Sequence, residues 1–424
     1  MRNKNAAALA VGLVMAGATL APTAKAIDLV SGDWKFSVDG NINVHYIYSK
    51  CESQSSAKPI VTVGGACTGS QSGSSVSNVA NGLLPAAITF GFSTTQAGID
   101  IAGHFGFYPG IATNDGGSPN LQQTTTLGPN VALGTTGLDV RQVFVTFGNK
   151  SFGTFTLGRN FGLFGFDAII NDMTIPGVGV AGAGSSASPA NTTLGSIGFG
   201  YIYTDTLAQI NYTTPDFSGF NATLGIFDPV NPLLQGGATA LPKKAPGVHG
   251  KLTYTAPLGE DQKLYVSGTF IYQQQDYSTS PTTFNQFHSV GWDIFAKYAV
   301  AGFEVDGSYY HGKGMGTTGL FILADDGLGF ARKSDGYLLQ GTYKIGAVKL
   351  GVNYGVSKLE FANAGDATAV PNLLSKNSKV TGGVYYSLTK NLTVLGEVSG
   401  VKTQAHNGFE NKSTNANAGV FFSF

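Results

Sequence analysis

From Trp34 onward every second residue is apolar or small. Trp34, Phe36, Val38, Gly40, Ile42, Val44, Tyr46 and Tyr48 alternate with Lys35, Ser37, Asp39, Asn41, Asn43 and His45. Leu264, Val266, Gly268, Phe270 and Tyr272 oppose Lys263, Tyr265, Ser267 and Thr269 in the same way. Val348, Leu350, Val352, Tyr354 and Val356 face away from Lys349, Gly351, Asn353, Gly355 and Ser357. A period of two puts all the apolar groups on one side of an extended chain, which is the signature of a half-buried β-strand. Sixteen such segments start near Asp33, Ala86, Gly98, Leu138, Phe152, Leu207, Phe220, Gly247, Lys263, Ser289, Phe303, Gly336, Val348, Lys379, Leu392 and Asn415.

The joints between them alternate in length. TTQAG, GNKS, PDFSG, LGEDQ, VAG, KIGA and TKN are short, whereas 50–85, 109–137, 160–206, 228–246, 276–288, 312–335, 361–378 and 404–414 are long. Short turns at one end and long loops at the other describe an all-β, antiparallel up-and-down barrel of about 16 strands in a membrane, apolar face to lipid and polar face to water. Two packed soluble sheets would alternate too, but they give no reason to segregate the joints.

One stretch breaks the alternation. FTLGRNFGLFGFDAIINDMTIPGVG, at 155–179, begins as a strand. It then strings together Phe161, Leu163, Phe164, Phe166, Ile169 and Ile170, sets Asp167 and Asp172 among them, and closes on Pro176. A closed sheet of sixteen strands encloses a channel too wide for its own side chains to fill. The longest joint, 160–206, is the candidate to enter it. Its apolar cluster is expected to pack against the inner wall and its two aspartates to face the water.

Composition agrees with strands and tight turns: 60 glycines, 28 phenylalanines and 18 tyrosines, but only four methionines. No apolar run of about 18 residues follows the N-terminal region, so no helix is expected to span a membrane. Residues 1–26, MRNKNAAALAVGLVMAGATLAPTAKA, read as a signal peptide. They have a basic start at Arg2 and Lys4, an apolar run, and Ala24-Lys25-Ala26 as the cleavage signature. Residues 27–424 are then the barrel. Removing Arg2, Lys4 and Lys25 leaves 22 bases against 25 acids, which is no footprint for nucleic acid. By strand parity the inner face carries Lys35, Arg141, Lys251, Lys263, Lys297, Lys344, Lys349 and Lys379, against Asp39, Asp100, Asp293, Glu304, Asp306 and Glu397. Such near-balance predicts weak ion selectivity, leaning to anions.

Little else carries chemistry. Cys51 and Cys67 are the two cysteines, both in the first long joint of an exported chain, and point to a disulfide. With no histidine nearby they make a poor zinc site. The six histidines are scattered, no G-x-S-x-G elbow is present, and the glycine clusters lack a phosphate-loop context. No enzyme, metal or cofactor is expected. A substrate-specific channel for a small organic anion or sugar is the alternative to a general pore. It would need more inner aromatics than Tyr265, Tyr310 and Tyr385, or a denser basic ladder. A purely structural barrel predicts no conductance.

VRQVFVTFGNKSFGTFTLGRNFG, followed by NDM and a proline, resembles the general trimeric porins of Gram-negative outer membranes. The alternation and the final NANAGVFFSF extend the likeness over nearly the whole mature chain. The resemblance implies a third external loop folded into the barrel as an eyelet, and passive diffusion of ions and small hydrophilic solutes. It also implies a homotrimer bordered by outer-membrane lipid and lipopolysaccharide. The assembly machinery would read the last strand through Phe422 and Phe424. Carried over by position, Asp172 in NDM matches one loop acid, while the second falls on Gly177. Arg141 in VRQVF matches a ladder arginine, and two other ladder positions fall on Ala87 and Ser196. Arg159 matches the arginine at the root of the loop. The expected pore constriction is thus Arg141 and Arg159 against Asp167 and Asp172, with Asp172 opposite Arg141.

Overall fold

The computed structural model describes residues 26–53, 55–67, 73–111, 138–181, 191–232, 239–259, 261–280 and 282–424. Residues 1–25, almost all of the expected leader, lie outside them. Sixteen strand positions form one sheet. The first is Trp34–Cys51, and the second is split into Ser75–Ala80 and Ala87–Gln96, both paired with the first. Ile99–Pro109, Leu138–Asn149, Gly153–Phe161, Thr206–Thr213, Phe220–Phe227, Gly247–Gly259 and Gln262–Ser280 follow. Thr283–Val300, Phe303–Lys313, Lys333–Ile345, Val348–Leu359, Leu374–Ser387, Leu392–Ala405 and Glu410–Ser423 complete the wall. Each pairs antiparallel with its sequence neighbour. The last returns to the first, with Asn415 opposite Ser49 and Gly419 opposite His45, so the barrel is closed.

All sixteen expected strands are present, but several begin earlier than their alternation does. The strands read from Ser289, Lys379 and Asn415 start at Thr283, Leu374 and Glu410. The outer end of the last is polar on both faces, and those of the other two bury Phe287 and Leu374 among polar neighbours, so the period fades while the ladder of backbone hydrogen bonds continues. Three short strands lack a counterpart in the pattern. Ser75–Ala80 lies within the first long joint. Ile27–Ser31 doubles back on the first wall strand through Gly32, at φ 60°. Thr239–Ala240 pairs with Gln262–Ser280.

The two faces differ as lipid and water require. Ile42, Val79, Ile294, Leu339, Val352 and Val398 point outward, each more than half exposed. An apolar band of this extent belongs in hydrocarbon. The inner face is polar: Asn43, Ser267, Asn353, Ser357, Thr381, Ser399 and Thr403 are buried there. The charged residues assigned by parity are on it, as in the cross-strand neighbours Lys251 and Thr269, Lys297 and Asp306, Lys344 and Lys349, and Glu397 and Asn417. At the C-terminus Phe424 exchanges backbone hydrogen bonds with Gly40, of 3.0 and 3.1 Å, and Phe422 faces outward.

The long joints pack against one another. Cys51 and Cys67 form a disulfide, Cα–Cα 5.4 Å, and the Ala66 amide donates to Thr403 Oγ1 at 2.7 Å. Closing a loop of this length stabilises by about 3 kcal/mol through the entropy of the unfolded chain. Phe164, Ile202, Phe287, Met315 and Phe321 share a buried apolar cluster. The short helix Ala364–Ala369, capped by Asn363, presents Asp366 to the Arg332 guanidinium at 2.7 and 2.8 Å, with both side chains buried. Burial raises the Asp366 pKa, but the Arg332 hydrogen bonds, the Ala362 amide and the charges of Arg332 and His406 together outweigh it and hold the carboxyl below its ordinary value.

Candidate functional site

The segment between Gly153–Phe161 and Thr206–Thr213 gathers its hydrogen bonds from side chains of the polar face. It opens at Gly165, which has φ 75° and whose amide donates to Asp293 Oδ2 at 2.7 Å. A Cβ there would stand 2.3 Å from the Ile202 carbonyl oxygen, so both conformation and space require glycine. The chain then makes one helical turn and a half, Phe166–Asn171. Residues three and four apart share a helix face. Phe166, Ile169 and Ile170 therefore lie on one side, half-buried, while Asp167 and Ala168 lie on the other, buried.

Asp167 is held by three side chains. Lys251 Nζ is 2.7 Å from its Oδ2, the Tyr265 hydroxyl donates at 3.2 Å, and the Ser267 hydroxyl donates to the same oxygen. Lys251 Nζ also stands 5.1 Å from the Phe166 ring centroid. Asp172, which ends the helix, is fully buried. Its Oδ1 accepts from the Thr174 amide at 3.0 Å and hydroxyl at 2.7 Å, and from Asn353 at 3.4 Å. Its Oδ2 accepts from the Ser196 amide at 3.0 Å and the Tyr201 hydroxyl at 2.8 Å. Burial, reinforced by the Asp172 charge, pushes the Tyr201 phenol well above its ordinary pKa, so it remains a donor.

Further tethers complete the anchorage. Gln340 brackets the turn after the helix, accepting from the Met173 amide and donating to the Asn171 carbonyl, each at 2.7 Å. Lys379 Nζ donates to the Gly195 carbonyl and to Ser196 Oγ, each at 2.7 Å. Glu397 Oε2 accepts from the Val178 and Gly179 amides, each at 2.8 Å. Its carboxylate also receives the Tyr385 hydroxyl at 2.6 Å and Asn417 at 3.0 Å. A Cβ on Gly177 would sit 2.2 Å from Glu397 Oε1. The position where the resembling porins carry a second loop acid is thus filled by a carboxylate from the sheet.

The segment departs from the sequence expectation in its aspartates: Leu163, Phe164 and Ile169 do pack with the buried apolar clusters, but they are not the whole anchorage. Polar bonds anchor it as well, and both aspartates are turned toward the polar face. A chain laid on a polar surface must supply partners for it, because buried polar groups left unpaired are costly. Phe161, Phe166 and Ile170 are left half-buried, outside the buried apolar clusters.

The arginines also sit differently. Arg141 is the extra residue of a bulge: Val140 pairs with Phe107 and Gln142 with Gly106, leaving it unpaired in register. Its guanidinium contacts Asp139 Oδ2 at 3.1 and 3.2 Å and Asn191 Oδ1 at 2.9 Å, and lies 5.4 Å from the Tyr108 ring centroid. Among the described residues no ion pair joins it to Asp172. Arg159 is opposite Val143 and Ala208, both on the exposed outer face, and is itself exposed. It points away from the polar face, so its assignment to the constriction is corrected. Of the two vacant ladder positions, Ser196 lies between Asp172 and Lys379. Sequence reasoning set Lys251, Lys379, Glu397 and Tyr265 on the inner face but not at the segment. Gln340 and Asn353 gave no signal beyond their parity.

A closed sixteen-stranded barrel with an apolar exterior and a polar interior is a channel scaffold, and its sequence fits one family. A sequence profile described as Gram-negative porin matches residues 6–406. The chain belongs to that family. This porin is therefore an outer-membrane barrel, exported through the periplasm. No curated protein sequence matches it. Among solved structures it is similar to the outer membrane channel DcaP of Acinetobacter baumannii, with 12% identity, TM-score 0.63, and 93% of this chain and 99% of that one covered. It is similar to the anion-selective porin from Comamonas acidovorans, with 15% identity, TM-score 0.58 and 92% and 100% covered. It is also similar to Salmonella typhi OmpF in complex with daunomycin, with 13% identity, TM-score 0.56 and 94% and 100% covered. These likenesses concern the fold. Among the described residues no cluster of three or more His, Cys, Asp or Glu could hold a metal ion.

Proposed function

We propose that the segment from Phe161 to Thr206 is a third external loop folded into the barrel as its constriction. We propose too that the channel selects small organic anions rather than passing all small solutes alike. One observation carries this reading. Asp167, Asp172, Asp306 and Glu397 are each 4% exposed or less. The side chains of Arg141, Lys251, Lys297 and Lys349 keep between 10% and 19%. Glu304 and Asp139 are the acidic exceptions at 26% and 15%, but Lys297 and Lys349 share the first at 3.2 and 3.3 Å, and Arg141 holds the second at 3.1 Å. A passing solute therefore meets cations more than anions. The similarity to an anion-selective porin favours the same sign.

In a planar bilayer under a salt gradient, the reversal potential should indicate preference for anions. Lys297→Gln with Lys349→Gln should shift it toward cations. A charge about 7 Å from a passing ion is worth about 0.6 kcal/mol even in water, or roughly threefold in permeability. Equal permeability of gluconate and glucose in liposome swelling, with a reversal potential insensitive to both lysines, would return the channel to the general-diffusion class.

We further propose a homotrimer, from the resemblance to general porins, with the early strands and the last strand at the interface through outward residues such as Ile42, Tyr46 and Val420. Phe422 and Phe424 would be the signal read during assembly. Extraction in mild detergent should yield a heat-sensitive trimer whose chains begin at Ile27. A monomer, or a retained leader, would count against these assignments.

A further inference from the structure

The side of the segment turned away from its anchorage is apolar. Phe166 and Ile170, four apart, share a half-buried face of the short helix, and the Phe161 ring lies 5.6 Å from that of Phe166. Cations flank this surface at both ends. Lys251 Nζ is 5.1 Å from the Phe166 centroid. Lys297 Nζ is 3.4 Å from Oδ1 of Asn171, the residue after Ile170, and Lys349 shares Glu304 with Lys297. The adjoining acids Asp167 and Asp306 are buried.

We propose that the solutes this channel prefers are amphipathic: an aromatic or branched apolar body carrying one carboxylate. The proposal rests on the reading of the segment as the constriction and names the substrate class of that same site. An apolar surface in a narrow passage disfavours fully hydrated inorganic ions and sugars, which must give up water there without replacement. A solute with an apolar body instead covers that surface and gains from doing so. Its carboxylate is attracted to Lys251 or Lys297 while the ring or alkyl group slides along Phe161, Phe166 and Ile170. Lys251 adjoins Phe166 and Lys297 adjoins Asn171, so a single molecule can reach an apolar group and a cation together.

Acetate, hexanoate and benzoate carry the same charge but increasing apolar surface, and they test this directly. Permeabilities relative to chloride are read from bi-ionic reversal potentials of the assembled porin. In a polar-lined constriction the larger anions are slower. Here benzoate and hexanoate should match or exceed acetate. Phe166→Ser with Ile170→Ser should restore the size order, lowering benzoate relative to acetate by roughly fivefold if several methylene equivalents lose part of their cover. Heat-shifted gel mobility confirms that the variant barrel is assembled, and the wild-type ranking stands on its own if it is not. Anion preference with acetate ahead of benzoate overturns this proposal while leaving the constriction reading intact. Unchanged benzoate permeability in the assembled double variant overturns it as well. Absence of anion preference in the wild type overturns the underlying reading, and this proposal with it.

Discussion

Asp172→Ala should raise single-channel conductance and abolish selectivity while leaving the barrel assembled. The buried carboxylate receives five donors: the Thr174 amide and hydroxyl, the Ser196 amide, the Tyr201 hydroxyl and Asn353. Alanine leaves these donors without that acceptor in a site closed to water. Each orphaned group costs about 1–3 kcal/mol, and breaking such a network around a buried charge costs roughly 3–5 kcal/mol in all. None of these bonds belongs to the strand ladder, so the loss falls on the segment and the sheet keeps its pairing. Hydrogen exchange at residues 173–181 and 191–201 should accelerate, with the strand amides unchanged. Wild-type conductance together with wild-type exchange would show that the segment is held by other means. Asp172→Asn should alter ion selectivity little, because this side chain does not reach solvent.

Gly177→Asp should be nearly as damaging, although it installs the acid that general porins carry at that position. Its Cβ would stand 2.2 Å from Glu397 Oε1, where no carbon fits, and its carboxylate would face another. Glu397 cannot withdraw without releasing the Val178 and Gly179 amides, Tyr385 and Asn417. The expected loss is roughly 2–4 kcal/mol of local stability, from overpacking combined with an unpaired buried charge. The change should be read as faster proteolysis within the segment and noisier, larger conductance. In a Glu397→Ala background the same substitution should cost much less, because the incoming carboxylate can take over the vacated donors. Equal effects in both backgrounds would remove Glu397 as the cause.

The period of two along the sequence determined the sixteen strands, the closed barrel and the side on which each inner charge lies. It could do so because alternation is a local property: lipid on one face and water on the other impose it within every strand. Interrupted alternation marked out the segment at 155–179. Parity also bears on Arg159, since Phe155, Leu157 and Arg159 share one side of a strand, whereas its assignment to the constriction came from the resemblance alone. For Arg141 no such signal exists. A bulge shifts a residue out of register without leaving a trace in residue types. Tertiary structure alone decided which way Asp167 and Asp172 face. Their partners, Lys251, Tyr265, Ser267 and Asn353, lie 84 to 181 positions further along the chain. A non-repeating segment has no period to fix its sides. Its orientation follows from where distant polar side chains need hydrogen-bond partners, and only the closed barrel brings those groups to one place.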